Sequence, residues 1–224
     1  MEAKENIMEN GFILLFGLSM LYLAATSRLI SHIRLLIAQG VLLFLICCFG
    51  HSEHTGVLNF SFLTLETLGV KAIIIPWFLY KILHKTNSNR DFAPNVPHFY
   101  CLVIASVILL AGFLVSNYWF SSVKMISPIY FGVSVATIVI SLWLITIKHK
   151  IISNVIEFIT MENGIFLLSL SVATEMPILV NLGVLLDVFI AVYILGLFVN
   201  VINKEFKDLE VSNLSDLKDY EYND

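Results

Sequence analysis

Apolar stretches about twenty residues long, separated by short polar breaks, run through this chain from near its start to about residue 202. A hydrocarbon layer about 30 Å thick is crossed by about 20 apolar residues, and inside it the backbone must satisfy its own hydrogen bonds, which makes each stretch a helix. The sequence therefore predicts an all-α, polytopic integral membrane protein of about seven transmembrane helices, at 11–25, 33–50, 60–83, 100–120, 125–147, 151–173 and 178–202. Only 13% of the residues are charged against 58% hydrophobic, whereas ordinary soluble domains carry about a quarter charged residues, so no separate soluble domain is expected.

The basic residues give orientation, because cytoplasmic loops carry the excess of Lys and Arg. With seven spans, Arg28, Arg34, Lys81, Lys85, Arg90, Lys148, Lys150, Lys204, Lys207 and Lys218 fall on one side, and Lys4 and Lys124 on the other. This places the N-terminus outside and the C-terminus in the cytoplasm, in the plasma membrane. Residues 1–10 read as an outer N-terminal segment, 11–147 as a five-span region and 203–224 as an acidic cytoplasmic tail. The leading segment holds Glu2, Glu5 and Glu9 against one Lys, unlike the positive start of a signal peptide, so the first span is expected to be an uncleaved anchor.

No Gly-rich phosphate loop, serine-hydrolase motif or HExxH motif occurs. Cys47, Cys48 and Cys101 lack the spacing of a zinc or iron-sulfur site and are read as small core residues, so no metal or cofactor is expected. The six histidines carry no clear site; His51 and His54 flank Glu53 in what is read as a solvated outer turn. Nothing points to nucleic acid.

Charged residues within the spans are the informative exceptions, since an Asp or Lys at a helix centre costs roughly 2.5–3.5 kcal/mol on insertion scales and marks proton or ion pathways by default. Glu162 lies roughly 16 Å into the sixth span and Asp187 roughly 14 Å into the seventh, both near mid-membrane. The connection between them is short enough to make the two helices antiparallel neighbours, so the carboxylates can face each other. Burial disfavours the charged form and a second anion disfavours it further, which suits a group that loads and unloads a proton. Glu157, five residues and about 500° before Glu162, is a third relay candidate on a different face. Lys71, about 16 Å deep in the third span, supplies the opposite charge, either as a structural ion pair or as a titrating partner. Gln39 and Asn163 are supporting polar residues, Gln39 chiefly as helix-packing glue. Met8–Gly11 and Met161–Gly164 share the string MENG, but on helices of opposite direction and at different depths, which reads as coincidence.

The string FITMENGIFLLSLSVATEMPILVNLGVLLDVFIAVYILGLF, with the Lys and Pro of VKAIIIPWFLYKIL, the Gln of LIAQGVLLFL, and Val211, Asn213, Leu214 and Leu217 of the tail, resembles component E of hydrogenase-4 and formate hydrogenlyase-like complexes. In that family the last three spans, 125–202 here, are similar to subunit K of respiratory complex I and to the small C component of multisubunit sodium/proton antiporters. The resemblance sets Glu162 close to the middle-helix glutamate of subunit K and Asp187, an Asp for a Glu, close to that of its last helix; Glu157 has no secure counterpart. It implies a subunit that is not an enzyme alone and binds no cofactor. Its partners would be large antiporter-like membrane subunits and a hydrogenase-like arm with iron-sulfur subunits. An antiporter component without a redox partner and a purely structural assembly subunit are the other readings.

Overall fold

In a computed structural model of the chain, the described residues are 2–50, 65–86, 97–120, 128–148 and 150–172. They form α1 (Glu2–Ala25), α2 (Leu29–Gly50), a π-helical segment (Leu65–Ile74) continued by α3 (Ile75–Thr86), α4 (His98–Phe120), α5 (Pro128–Ile147) and α6 (Ile151–Val172). By its contacts the chain divides into Met1–Leu185 and Leu186–Asp224. The second unit, with the seventh expected span, Asp187 and the tail, lies outside the described residues.

Each of the first six expected spans thus corresponds to helix, with shifted ends. Residues 2–10 are helical and continuous with the first span. Carboxylates are favoured in the first turns of a helix, where the backbone dipole is positive, so the acidic start extends α1. The second helix starts four residues earlier than expected, at Leu29. The Arg28 carbonyl accepts from the amides of Ser31 (2.9 Å) and His32 (3.2 Å), and the reversal from α1 needs only Thr26–Arg28. Arg34 sits within the helix, since a long basic side chain near a membrane helix end can reach the interface without ending the helix.

The third span differs in kind. Pro76 has no N–H to give the Ala72 carbonyl and its ring crowds that carbonyl, so an ordinary α-helix cannot pass through it unchanged. The chain answers with ten residues of wider π-helix before Ile75, and Lys71 sits within them. Four helical stretches among the described residues are long and apolar enough to cross a membrane: Met8–Ala25, Leu29–Phe49, His98–Tyr118 and Pro128–Ile147. Helix α6, with 22 residues and a length of about 33 Å, carries Glu157 and Glu162 in an otherwise largely apolar sequence.

Helix α5 is central, packing on α1, α4 and α6, while α2 packs on α1, α6 and the π-helical segment. One core cluster joins Ile13 and Phe16 of α1, Leu43 and Ile46 of α2, Tyr130 and Val133 of α5, and Phe166 and Leu167 of α6. A second joins Met20 and Leu23 to Cys101, Ala105, Ile140 and Leu144. Both α5 and α6 bury small polar residues, Ser134, Thr137 and Ser141 on α5 and Ser153, Thr160 and Ser171 on α6, and Thr137 packs where α6 has Gly164. Small residues are what membrane helices use to approach closely, since lipid offers no hydrophobic drive for their association. Thr137 and Thr160 donate their hydroxyls to the carbonyls of Val133 (2.8 Å) and Ile156 (3.0 Å), one turn back on their own helices, so neither hydroxyl is stranded in the interface.

Candidate functional site

Buried polar groups on α2, α6 and the π-helical segment form two clusters, one deep and one at the end of the bundle that holds the α1–α2 and α5–α6 turns. The deep cluster is built on Lys71 and Glu162. Their side chains keep 1% and 2% of their exposure, and Lys71 Nζ stands 3.6 Å from Glu162 Oε1. Lys71 Nζ makes no hydrogen bond among the described residues and lies 4.7 Å from the centroid of the Phe166 ring, so the ring face shares its charge. An ion pair at this separation has much of its Coulomb attraction but not the direct hydrogen bond that normally offsets desolvation.

Two glycine-bearing dipeptides set this geometry. Gly40 follows Gln39, and a Cβ there would come within 2.9 Å of the Ala72 backbone nitrogen and 3.0 Å of its Cα. Only glycine lets α2 touch the π-helical segment one residue from Lys71. Gly164 follows Asn163, and a Cβ there would meet Thr137 Cγ2 at 2.9 Å, which accounts for the last residue of the MENG string on α6.

Beside the ion pair a thread of neutral hydrogen bonds crosses three helices. Asn163 Nδ2 donates to Gln39 Oε1 (3.4 Å), Gln39 Nε2 donates to Ser19 Oγ (2.9 Å), and Ser19 Oγ donates to the Phe16 carbonyl (2.6 Å). Neither amide titrates, so the thread holds α1, α2 and α6 in fixed rotation and keeps Glu162 turned toward Lys71.

The second cluster is built on Glu157. Its Oε1 accepts a hydrogen bond from Lys148 Nζ and lies 3.8 Å from His32 Nδ1. His32 Nε2 is 2.9 Å from the Thr26 carbonyl, which can only accept, so Nε2 carries the proton. Nδ1 is then free to accept from Lys148 Nζ at 3.3 Å, and the ring is the neutral tautomer. A cavity of about 10 Å³, room for about one water, adjoins Lys148 between Thr26, His98 and Cys101.

These contacts put Lys148 and the Arg28 turn at the same end of the bundle. The sequence-predicted residues fall into place unevenly. Lys71 and Glu162 are together, Gln39 and Asn163 adjoin them, and Glu157 belongs to the other cluster, in line with its different helix face. Asp187 lies outside the described residues, as do His51, Glu53 and His54. The histidines as a class promised little; His32, fully buried, corrects that. It precedes Gln39 by seven residues, two helical turns, so the pair share one face of α2, and that spacing was a usable signal. Lys148 went unnoticed as a site residue because it read as a loop charge. The two copies of MENG are not equivalent: Glu9 accepts from the Tyr130 hydroxyl, while Glu162 faces Lys71. Cys47 and Cys101 are buried free thiols and Cys48 is half-buried. Among the described residues no three His, Cys, Asp or Glu side chains converge as a metal site.

Comparison with known proteins agrees with the sequence resemblance. The chain is 26% identical over 177 residues to hydrogenase-4 component E of Escherichia coli (strain K12), covering 72% of this chain and 82% of the relative. This chain resembles hydrogenase-4 component E. The same identity and coverage hold for hydrogenase-4 component E of Shigella flexneri. The uncharacterized protein Rv0085 of Mycobacterium tuberculosis is 24% identical over 163 residues, 69% of this chain and 71% of that one. No family profile matches the chain, and no solved structure does. Distant similarity to component E and a set of apolar helices together fit a membrane subunit of a multisubunit complex.

Proposed function

We propose that this chain is a non-catalytic membrane subunit of a nickel-iron hydrogenase-like complex, related to formate hydrogenlyase and complex I, and that its buried carboxylates take part in proton translocation. The observation that carries the reading is the Lys71–Glu162 pair, buried at 3.6 Å on a π-helical segment, an irregular backbone that is frequent at functional sites. A proton taken up by the Glu162 carboxylate removes the negative partner of Lys71 and leaves the ammonium over Phe166; release of the proton restores the pair. The pair is then a two-position electrostatic element, loaded and unloaded one proton at a time.

Glu157, with Lys148 and His32, stands about 7.5 Å along α6 from Glu162 and beside the water-sized cavity, which suits a cytoplasmic proton mouth. Asp187 on the next span is the onward group. In this reading the chain has about seven spans, the N-terminus outside and the C-terminus cytoplasmic, in the plasma membrane. The partners are large antiporter-like membrane subunits and a hydrogenase-like arm whose iron-sulfur subunits carry the redox chemistry; this chain holds no cofactor.

Glu162→Gln tests the reading in the assembled complex, with the complement of co-purifying chains and redox turnover followed beside proton translocation in vesicles. Full assembly with translocation reduced by at least about tenfold, the range associated with loss of a proton-transfer group, is expected. Full assembly with unchanged translocation overturns it.

A further inference from the structure

Arg34 is exposed on α2 about 7.5 Å from the start of the helix, inside a stretch apolar enough to cross a membrane, and it forms no ion pair among the described residues. A guanidinium this near a helix end reaches the interface, where the phosphate of an anionic headgroup is within its range. It stands on the edge of a groove of about 390 Å³ between α2 and the π-helical segment with α3. The walls are apolar: Ile30 and Ile37 on one side, Ile73 and Pro76 on the other. Trp77 and Tyr80 complete the lining, and the Lys81 ammonium lies 5.4 Å from the Trp77 ring centroid.

The groove is graded along its length. The two helices run antiparallel, so Arg34 and Ile30, near the start of α2, lie level with Tyr80 and Lys81, in the second half of α3. Toward mid-membrane only Ile37, Ala72 and Ile73 remain. Two cations with a Trp and a Tyr at one end and branched aliphatic walls at the other match the division of a phospholipid into an anionic headgroup and acyl chains. A helix from another protein would fill the apolar part but would need a carboxylate at the one height where Arg34 stands.

We propose that this groove binds an anionic phospholipid, with its phosphate on Arg34 and an acyl chain between α2 and the π-helical segment. The site is separate from the proton relay and holds whether or not that relay operates. Its floor includes Ala72, beside Lys71, so the lipid abuts the backbone that carries the deep ion pair.

The test uses the full chain purified in maltoside micelles, with phosphatidylglycerol and phosphatidylethanolamine of identical acyl chains as probes and native mass spectrometry as the readout. Phosphatidylglycerol is expected to be retained in preference to phosphatidylethanolamine, with the preference falling about fivefold in Arg34→Gln and persisting in Arg34→Lys. Ile37→Trp, which fills the groove without changing charge, is expected to weaken retention of both. Equal retention of the two lipids, or an unchanged preference in Arg34→Gln, overturns the proposal. So does cross-linking of Ile37→Cys to a neighbouring protein in the native membrane, which would make the groove a protein interface.

Discussion

Two buried lysine–glutamate contacts share helix α6, five residues apart, and are built in opposite ways. Lys148 gives hydrogen bonds to Glu157 and to His32, keeps 8% of its side-chain exposure, and adjoins a cavity the size of one water. Lys71 keeps 1%, stands 3.6 Å from Glu162 and gives no hydrogen bond among the described residues. The first is a hydrogen-bonded cluster in which moving the proton means breaking the bonds that Lys148 gives. In the second, the Lys71 ammonium contributes charge without a hydrogen bond among the described residues, so parting it from Glu162 breaks no hydrogen bond of the ammonium. The lack of an acceptor in hydrogen-bond reach of the Lys71 ammonium, among the described residues, separates the deep pair from the shallow one.

That contrast is broken most severely at Lys71. Removing one member of a buried pair leaves the other charge stranded and costs roughly 3–5 kcal/mol, whereas replacing both by apolar groups of similar volume is often neutral. Lys71→Met is therefore expected to lower unfolding stability in mixed detergent micelles by about that amount, and adding Glu162→Met in the same chain to recover most of it. If the double variant is as unstable as the single ones, the two residues are not an energetic unit and the comparison with Lys148 loses its basis.

Lys148→Met should be milder. Its cluster lies at a helix turn beside the small cavity, where water can take over part of the lost bonding. The loss is expected near the roughly 1.5–3 kcal/mol usual for a hydrogen bond to a charged group. An effect as large as that of Lys71→Met would show that the shallow cluster is as desolvated as the deep one.

Gly40→Ala sharpens the contrast from the backbone side. The new methyl would meet the Ala72 backbone at 2.9–3.0 Å, so α2 and the π-helical segment must part, at a cost of about 1–3 kcal/mol. The displacement falls beside Lys71 and leaves Lys148 alone. A stability loss in Gly40→Ala that is smaller when Lys71→Met is already present, with simple additivity to Lys148→Met, is the expected pattern in thermal unfolding. Equal coupling to both lysines would mean that Gly40 acts on the whole bundle.

Hydrophobic length was enough to locate the helices, because a bilayer imposes a span length on any sequence that crosses it. Their ends were harder to read: the polar residues before Gly11 and before Ile33 read as breaks, and both stretches are compatible with helix near a membrane surface. The π-helical turn was foreshadowed only by Pro76, since a proline announces a fault in the ladder without saying whether the helix kinks, breaks or widens. Lys71, Glu162, Gln39 and Asn163 were legible because polar residues at mid-span are too costly to be incidental. Which lysine meets which carboxylate was not, since that depends on the rotation of α6 and on where Gly40 lets two backbones touch. His32 was missed because it fell one residue before the expected start of the second span, which the structure places at Leu29.

The smallest effect expected is at His32, and it distinguishes two accounts of the shallow cluster. If the ring serves only as a bridge, donating through Nε2 to Thr26 and accepting at Nδ1 from Lys148, then His32→Phe removes both bonds and leaves the Thr26 carbonyl to water at the turn. A loss of about 1 kcal/mol follows, the net worth of an ordinary hydrogen bond where solvent can substitute. His32→Gln, which can offer a donor and an acceptor in the same region, should restore part of it. Because Lys148 and Glu157 remain in contact in either variant, translocation by the assembled complex should change little. If instead His32→Phe stops translocation while the complex assembles and His32→Gln does not restore it, the imidazole itself carries the proton. The hydrogen-bond-rich cluster would then be the active one and the deep pair its support.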